Sequence, residues 1–419
     1  METTQRQTYL DWLRIISIAG VLFFHSGMPY AADEWWHIRN HDTSALMEQS
    51  NYFMHLVRMP LLFFISGTVS YYMMQRRSAW SFIGLRFTRL FIPLLVGMFI
   101  IVPPQIYMER ISHGFTGNYW DFYKTTFTTG VYPKGNLSWH HLWFIAYLFV
   151  YDLVFAPVFM WLISPKSAKF KAALNGLAKG KWIYVITIPS IVWYTLLSRV
   201  YPQTSNLVYD YCFIVYWLLF LLAGFICILQ PSLMESLQRN RRFAITIGFL
   251  GILAVNYLWL NPPPNSAEWS YLRGHSFRAL SAMVGWAWVL GLVGYGKQYL
   301  NRPHKSLNYL NQAVYPFYIL HQTVIVILAY YIVQTNDTVI MKYIYTVGVT
   351  LFITMGIYHL LVKPYPVMRF LFGMKPLEKK KESLEVSGSE VRKKVDAEKW
   401  IEENEIGRAS CRERVCQYV

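Results

Sequence analysis

The stretch LDWLRIISIAGVLFFHS, residues 10–26, is apolar enough to cross a bilayer, yet it carries Asp11, Arg14 and His25. Each such group costs a few kcal/mol, about 2.5–3.5, at the centre of a membrane helix. A helix that keeps three of them must satisfy them inside a bundle or use them. The rest of the chain fixes the surroundings. It is 54% hydrophobic, 18% aromatic and only 15% charged, whereas soluble domains carry about 25% charged residues. The apolar residues form long runs rather than alternating, which predicts an all-α polytopic membrane protein, a bundle of about ten transmembrane helices.

The runs fall at 10–28, 52–74, 90–108, 141–163, 182–200, 209–229, 243–260, 277–295, 310–333 and 341–362. Alternate loops differ in charge: 15 Lys/Arg lie on one side and 5 on the other. The positive-inside rule therefore places both termini in the cytoplasm of an inner (plasma) membrane protein. The net charge of +16 is scattered among short loops, which argues for membrane topology and against a nucleic-acid partner. The first span is too long and too ionisable for a cleaved signal peptide. The longest outer loop, Glu109–His140, is rich in Tyr, Thr and Gly, and suits either a saccharide-facing lid or a plain connector.

The chain turns polar after about Lys363, and it ends in EIGRASCRERVCQYV. That ending resembles a translated sequencing-adaptor read-through, so residues 405–419 are read as an artefact. Two of the four cysteines, Cys411 and Cys416, lie there; Cys212 and Cys227 sit in an apolar run and read as small hydrophobes. Neither a disulfide framework nor a metal motif is expected.

Arg14 and His25 are eleven residues apart, about 20° from eclipsed on a helix and about 16 Å along its axis. Both therefore face the same side of the bundle, Arg14 near the inner end and His25 in the outer half. Asp11 lies one turn before Arg14, close enough for a structural ion pair. It is about 21 Å from His25, too far to orient that ring. On the fourth run Asp152 follows His141 by the same eleven residues. This predicts a two-tier polar lining, with His141 level with His25 and Asp152 nearer Arg14. Arg58 lies too deep in the second run to snorkel easily. It reads as a cation toward a bound anion, or equally as a buried partner for Asp152. His55 and His359 read as structural.

The pattern Leu10-Asp11-x-x-Arg14-x10-His25 resembles the first-helix signature of the acyltransferase 3 family of integral membrane acyltransferases. Further elements match in order: Arg58 in VRMPLLFFISG, the R-x-x-R-L-x-x-P element at Arg86, Arg89 and Pro93, HHLWF at His140–Phe144, and His321 in YPFYILHQTV. The likeness covers residues 8–376 and is nearest the glucan-biosynthesis branch of that family, so 1–376 is taken as the membrane domain and 377–404 as a polar cytoplasmic tail. It implies transfer of a succinyl or acetyl group from cytoplasmic acyl-CoA to a hydroxyl of an extracytoplasmic saccharide. His25 would be the catalytic base, Arg14, Arg86 and Arg89 would hold the donor, and Arg58, His141 and His321 would contact substrate or transition state. No bound cofactor or metal is implied. The other reading of the same residues is a secondary transporter of an anionic solute, in which the intramembrane Arg, His and Asp bind the anion or relay protons. A sensor or scaffold without turnover is a third. The expected internal repeats of a transporter are not seen.

Overall fold

The computed structural model describes residues 7–32, 36–261 and 267–377. The tail expected beyond the membrane domain therefore lies, apart from Leu377, outside the described residues. Among these residues the structure is helical, with one isolated β-bridge between Val131 and Leu137 in the long loop that precedes His140. We number the apolar helices α1 (Thr8–Gly27), α2 (Ala45–Met74), α3 (Ala79–Ser112), α4 (Trp143–Ile163), α5 (Trp182–Leu197), α6 (Tyr211–Leu229), α7 (Pro231–Leu260), α8 (Ala267–Tyr299), α9 (Leu307–Ile332) and α10 (Val339–Val362).

Nine of these, all but α5, are long and apolar enough to cross a membrane. The tenth expected span is shorter than the sequence predicts: 16 residues, of which Trp182–Thr187 form a 3₁₀ segment and Ile188–Leu197 an α-helix. The 3₁₀ turn rises about 2.0 Å per residue against 1.5 Å for the α form, so the whole element reaches about 27 Å. The chain directions show that α5 is a pass through the bundle. Along α1 and α9, Arg14 meets Asn311 and His25 meets His321, so these helices run parallel. Along α2 and α6, Phe63 packs on Trp217 and Tyr71 on Phe225, again in parallel order. Both relations need α5 to reverse the chain once.

α2 and α9 are the most deeply covered helices, and α7 and α10 expose most of their apolar surface at the periphery. α1 packs against α2, α8, α9 and α10, which explains how its ionisable residues avoid lipid. The α2–α6 contact is backbone on backbone. A Cβ added to Gly67 would lie 1.9 Å from the Leu221 carbonyl oxygen, and one on Gly224 would lie 1.8 Å from that of Phe64.

α3 is interrupted by π turns at Phe87–Phe91 and Gly97–Ile101. Proline supplies the reason, because it brings no N–H for the carbonyl four residues earlier. Pro93 leaves the Arg89 carbonyl without its helical donor, and Pro103 does the same to Phe99. Two tyrosine hydroxyls take their place: Tyr315 of α9 donates to Arg89 at 3.0 Å and Tyr123 donates to Phe99 at 3.0 Å.

Candidate active site

Two parallel helices, α1 and α9, bring the central groups together at the end of the bundle that the charge bias assigns to the outside. His321 of α9 is fully buried, and its Nδ1 lies 2.7 Å from the Tyr318 carbonyl, one turn back. A carbonyl oxygen only accepts, so Nδ1 carries the hydrogen and Nε2 of the neutral ring carries a lone pair. His25 Nδ1 lies 2.8 Å from that Nε2 and is therefore the donor. The proton on His25 is thus fixed at Nδ1, and its Nε2 is left with an unshared pair. The two rings are stacked, 7° from parallel. His25 is held on its other sides by Trp36, stacked at 5.5 Å, and by Phe24 edge-on at 5.2 Å.

His141, in the 3₁₀ turn that leads into α4, sits edge-on to His321 at 5.3 Å and so does lie at the level of His25. Its Nε2 donates to the Ile319 carbonyl at 3.0 Å, and the Tyr318 hydroxyl donates to the His141 carbonyl. By the same reasoning His141 Nδ1 is an acceptor, and it is buried without a partner. Arg58 of α2 is 8% exposed, with its guanidinium 3.6 Å from the centre of the Phe24 ring and its Nε buried without a hydrogen-bond partner.

Asp152 is not the partner of Arg58. Its Oδ2 lies 2.7 Å from Arg86 Nε, and Ser70 bridges the pair, accepting from Arg86 Nη2 at 2.6 Å and donating to Asp152 Oδ1 at 2.8 Å. The sequence placed Arg86 at the inner mouth, exposed to a phosphate. It is 5% exposed because α3 begins at Ala79, eleven residues before the expected start, and carries Arg86 two turns into the bundle. Arg89 lies in the first π turn of α3, half-buried. Arg14 is half-buried too, and its Nη2 donates to the Asn311 carbonyl at 3.2 Å. Asp11 is half-buried in the first turn of α1. His359 meets the Tyr309 hydroxyl at 3.2 Å.

Sequence reasoning missed a second cluster that adjoins the first. Trp36 is followed by His37, whose Nδ1 is hydrogen-bonded to Glu109 Oε2 at the outer end of α3. His140 stacks on His37 at 4.6 Å. The Tyr132 hydroxyl donates to Glu109 Oε2 at 3.3 Å, and burial together with the Glu109 carboxylate pushes its phenol up to about 12. Gln322, beside His321 in the chain, approaches His37 Nε2 at 3.5 Å. The only signal in the sequence was the density of histidine in the outer loops. His37, Glu109 and His140 are also placed, among the described residues, as a group that could hold a metal ion.

A family model described as an acyltransferase domain matches residues 7–362. The chain is 24% identical, over 88% of its own length and 95% of theirs, to proteins named glucans biosynthesis protein C from Salmonella heidelberg (strain SL476) and Salmonella typhi, and a protein of the same name from Salmonella gallinarum (strain 287/91 / NCTC 13346) matches equally. No solved structure matches the chain. The matched span takes in all ten helices and every residue of both clusters, so this protein belongs to the acyltransferase 3 family and is a membrane acyltransferase.

Proposed function

We propose that the protein moves an acyl group, succinyl or acetyl, from cytoplasmic acyl-CoA to a hydroxyl of an extracytoplasmic saccharide, a periplasmic glucan being the candidate its relatives' name suggests. The observation that carries this reading is the hydrogen-bond chain from the Tyr318 carbonyl through His321 to His25. It leaves one imidazole nitrogen, His25 Nε2, unprotonated and ready to act as a base.

The acceptor hydroxyl gives its proton to His25 Nε2 as its oxygen attacks the thioester carbonyl carbon. A C–O bond forms, and the carbonyl electrons move onto oxygen. The imidazolium is held by its Nδ1–H bond to His321. The Arg58 guanidinium supplies positive charge for the oxyanion in a site of low dielectric, where such help is worth most. The intermediate then collapses, the C–S bond breaks, and the thiolate of CoA takes the proton back from His25. The balance is one ester formed and one thiol released, with the base restored. Arg58 also suits the terminal carboxylate of a succinyl donor. His141 Nδ1 is an acceptor for a second saccharide hydroxyl.

On this reading CoA enters from the cytoplasmic side, and Arg14 and Arg89 are candidates to hold its phosphates. An even number of passes and the loop-charge bias support termini in the cytoplasm of the inner membrane. The test is transfer of label from radiolabelled acetyl- or succinyl-CoA to a glucan by purified protein. Label on the glucan that disappears in His25→Ala, with the variant's melting profile intact, is expected. Undiminished transfer by that variant would remove His25 from the chemistry.

A further inference from the structure

We propose that His37, Glu109 and His140 form a transition-metal site of the zinc class at the outer mouth of the bundle, beside His25 and separate from it. The three come from different segments: the loop after α1, the last turn of α3 and the turn leading into α4. One ligand atom from each lies within 4.8 Å of the others. Zinc bonds of about 2.0–2.2 Å place ligand atoms about 3.3 Å apart in a tetrahedron, so the wider separations would close by as much as about 1.5 Å while the hydrogen-bonded pair His37 Nδ1 and Glu109 Oε2 opens to admit the ion. Two imidazoles and one carboxylate are the donor set of a zinc site that keeps its fourth position open. Imidazole nitrogen also selects against calcium and magnesium, which prefer oxygen.

Three further features favour a ligand here over a plain hydrogen-bonded cluster. His140 Nε2 is buried with no hydrogen-bond partner, while its Nδ1 is fixed by the Ser138 hydroxyl at 2.6 Å. That is the arrangement of a metal-binding histidine, one nitrogen anchored and the other free to bind. His140 also has φ of +40°, a left-handed conformation that costs a residue with a side chain about 1–3 kcal/mol and is kept where its position is needed. Finally, each ligand has an outer partner: Ser138 for His140, Tyr132 for Glu109 Oε2, and Gln322 near His37 Nε2. Arg110 lies 3.5 Å from the other Glu109 oxygen, Oε1, and is anchored there by the carbonyls of Pro133 and Gly135 and by Asn136. Oε2 carries the hydrogen bonds from His37 Nδ1 and Tyr132, and a bound ion would take the place of the His37 proton between the two ligands.

The ion would act by position. His37 adjoins Trp36, and Trp36 is stacked on His25, so binding would tie the outer loop across the ring that carries the base. The test reads metal, not turnover. Full-length protein purified in detergent from zinc-replete cells should hold about one zinc per chain by elemental mass spectrometry. His25→Ala should hold the same amount, so a failure of the transfer chemistry and a failure of the metal site give different results. Glu109→Gln and His140→Ala should lower bound zinc by at least the factor of about ten that loss of even an outer partner costs. Because those variants can misfold, stripped wild-type protein is also reloaded with cobalt(II), which should give the visible bands of a low-coordinate nitrogen-ligated ion. Wild-type protein that carries no zinc and shows no such bands overturns the proposal.

Discussion

Replacing Asp152 with asparagine tests the electrostatics of the bundle most sharply. Its carboxylate is fully buried, the Arg86 side chain is 6% exposed, and the two meet at 2.7 Å. Asparagine keeps the shape and the Ser70 hydrogen bond but removes the charge opposite Arg86. A buried cation left uncompensated costs about 3–5 kcal/mol. The reverse change, Arg86→Met, should cost less. A carboxylate left alone can become neutral by taking a proton, whereas a guanidinium stays charged. Replacing both, Arg86→Met with Asp152→Leu, should recover most of the loss, because an apolar pair of similar volume is often as stable as a buried ion pair. The assay is unfolding of detergent-solubilised protein for Arg86→Met, Asp152→Leu and the double, analysed as a mutant cycle, with Asp152→Asn measured beside them. A coupling of about 2 kcal/mol or more is expected. Additive effects, or an Asp152→Asn variant within about 0.5 kcal/mol of wild type, would refute the assignment of this pair as one unit.

Three other outcomes are expected. His321→Ala removes the acceptor that fixes the His25 tautomer and should lower kcat for acyl transfer by about 10²–10⁴ with little change in KM, the range for loss of general base catalysis; an unchanged kcat would sever His321 from the base. Arg58→Gln should reduce kcat/KM for a succinyl donor more than for an acetyl donor if the guanidinium meets the terminal carboxylate, and equal losses in parallel assays would leave it only the oxyanion role. Gly67→Ala places a methyl against the Leu221 backbone and should destabilise the α2–α6 contact by about 1–3 kcal/mol; a thermal unfolding profile like that of wild type would show that the two helices can part freely.

The helices were legible because each is a long apolar run, and the face shared by Arg14 and His25 followed from helical periodicity alone. Sequence periodicity reports one helix at a time, and that is where legibility ended. It gave no means to see that Asp152 would meet Arg86 rather than Arg58, because that depends on which helices adjoin and on where α3 starts. The apolar run starts later than α3 does because Arg86 and Arg89 look like the edge of a membrane span, whereas Arg86 is neutralised within it. The shortness of α5 was hidden by a 3₁₀ segment whose residues are as apolar as those of an α-helix. The resemblance implies that His321 contacts substrate or transition state, but nothing local in the sequence signals which of its nitrogens is free to receive the proton of His25. His37, Glu109 and His140 lie in three segments with no fixed spacing, so no motif could join them.

The tyrosine hydroxyls that complete α3 bear on how the molecule is made. Tyr315 follows Arg89 by 226 residues, so α3 leaves the ribosome long before the group that caps its exposed carbonyl exists. In hydrocarbon an unsatisfied carbonyl costs several kcal/mol. During synthesis that oxygen must be served by water or by a lipid headgroup, and α3 reaches its final shape only when α9 docks beside it. The helix that carries Arg86 and Glu109 is therefore among the last to settle, and truncation of the chain before α9 would leave it unfinished in the membrane.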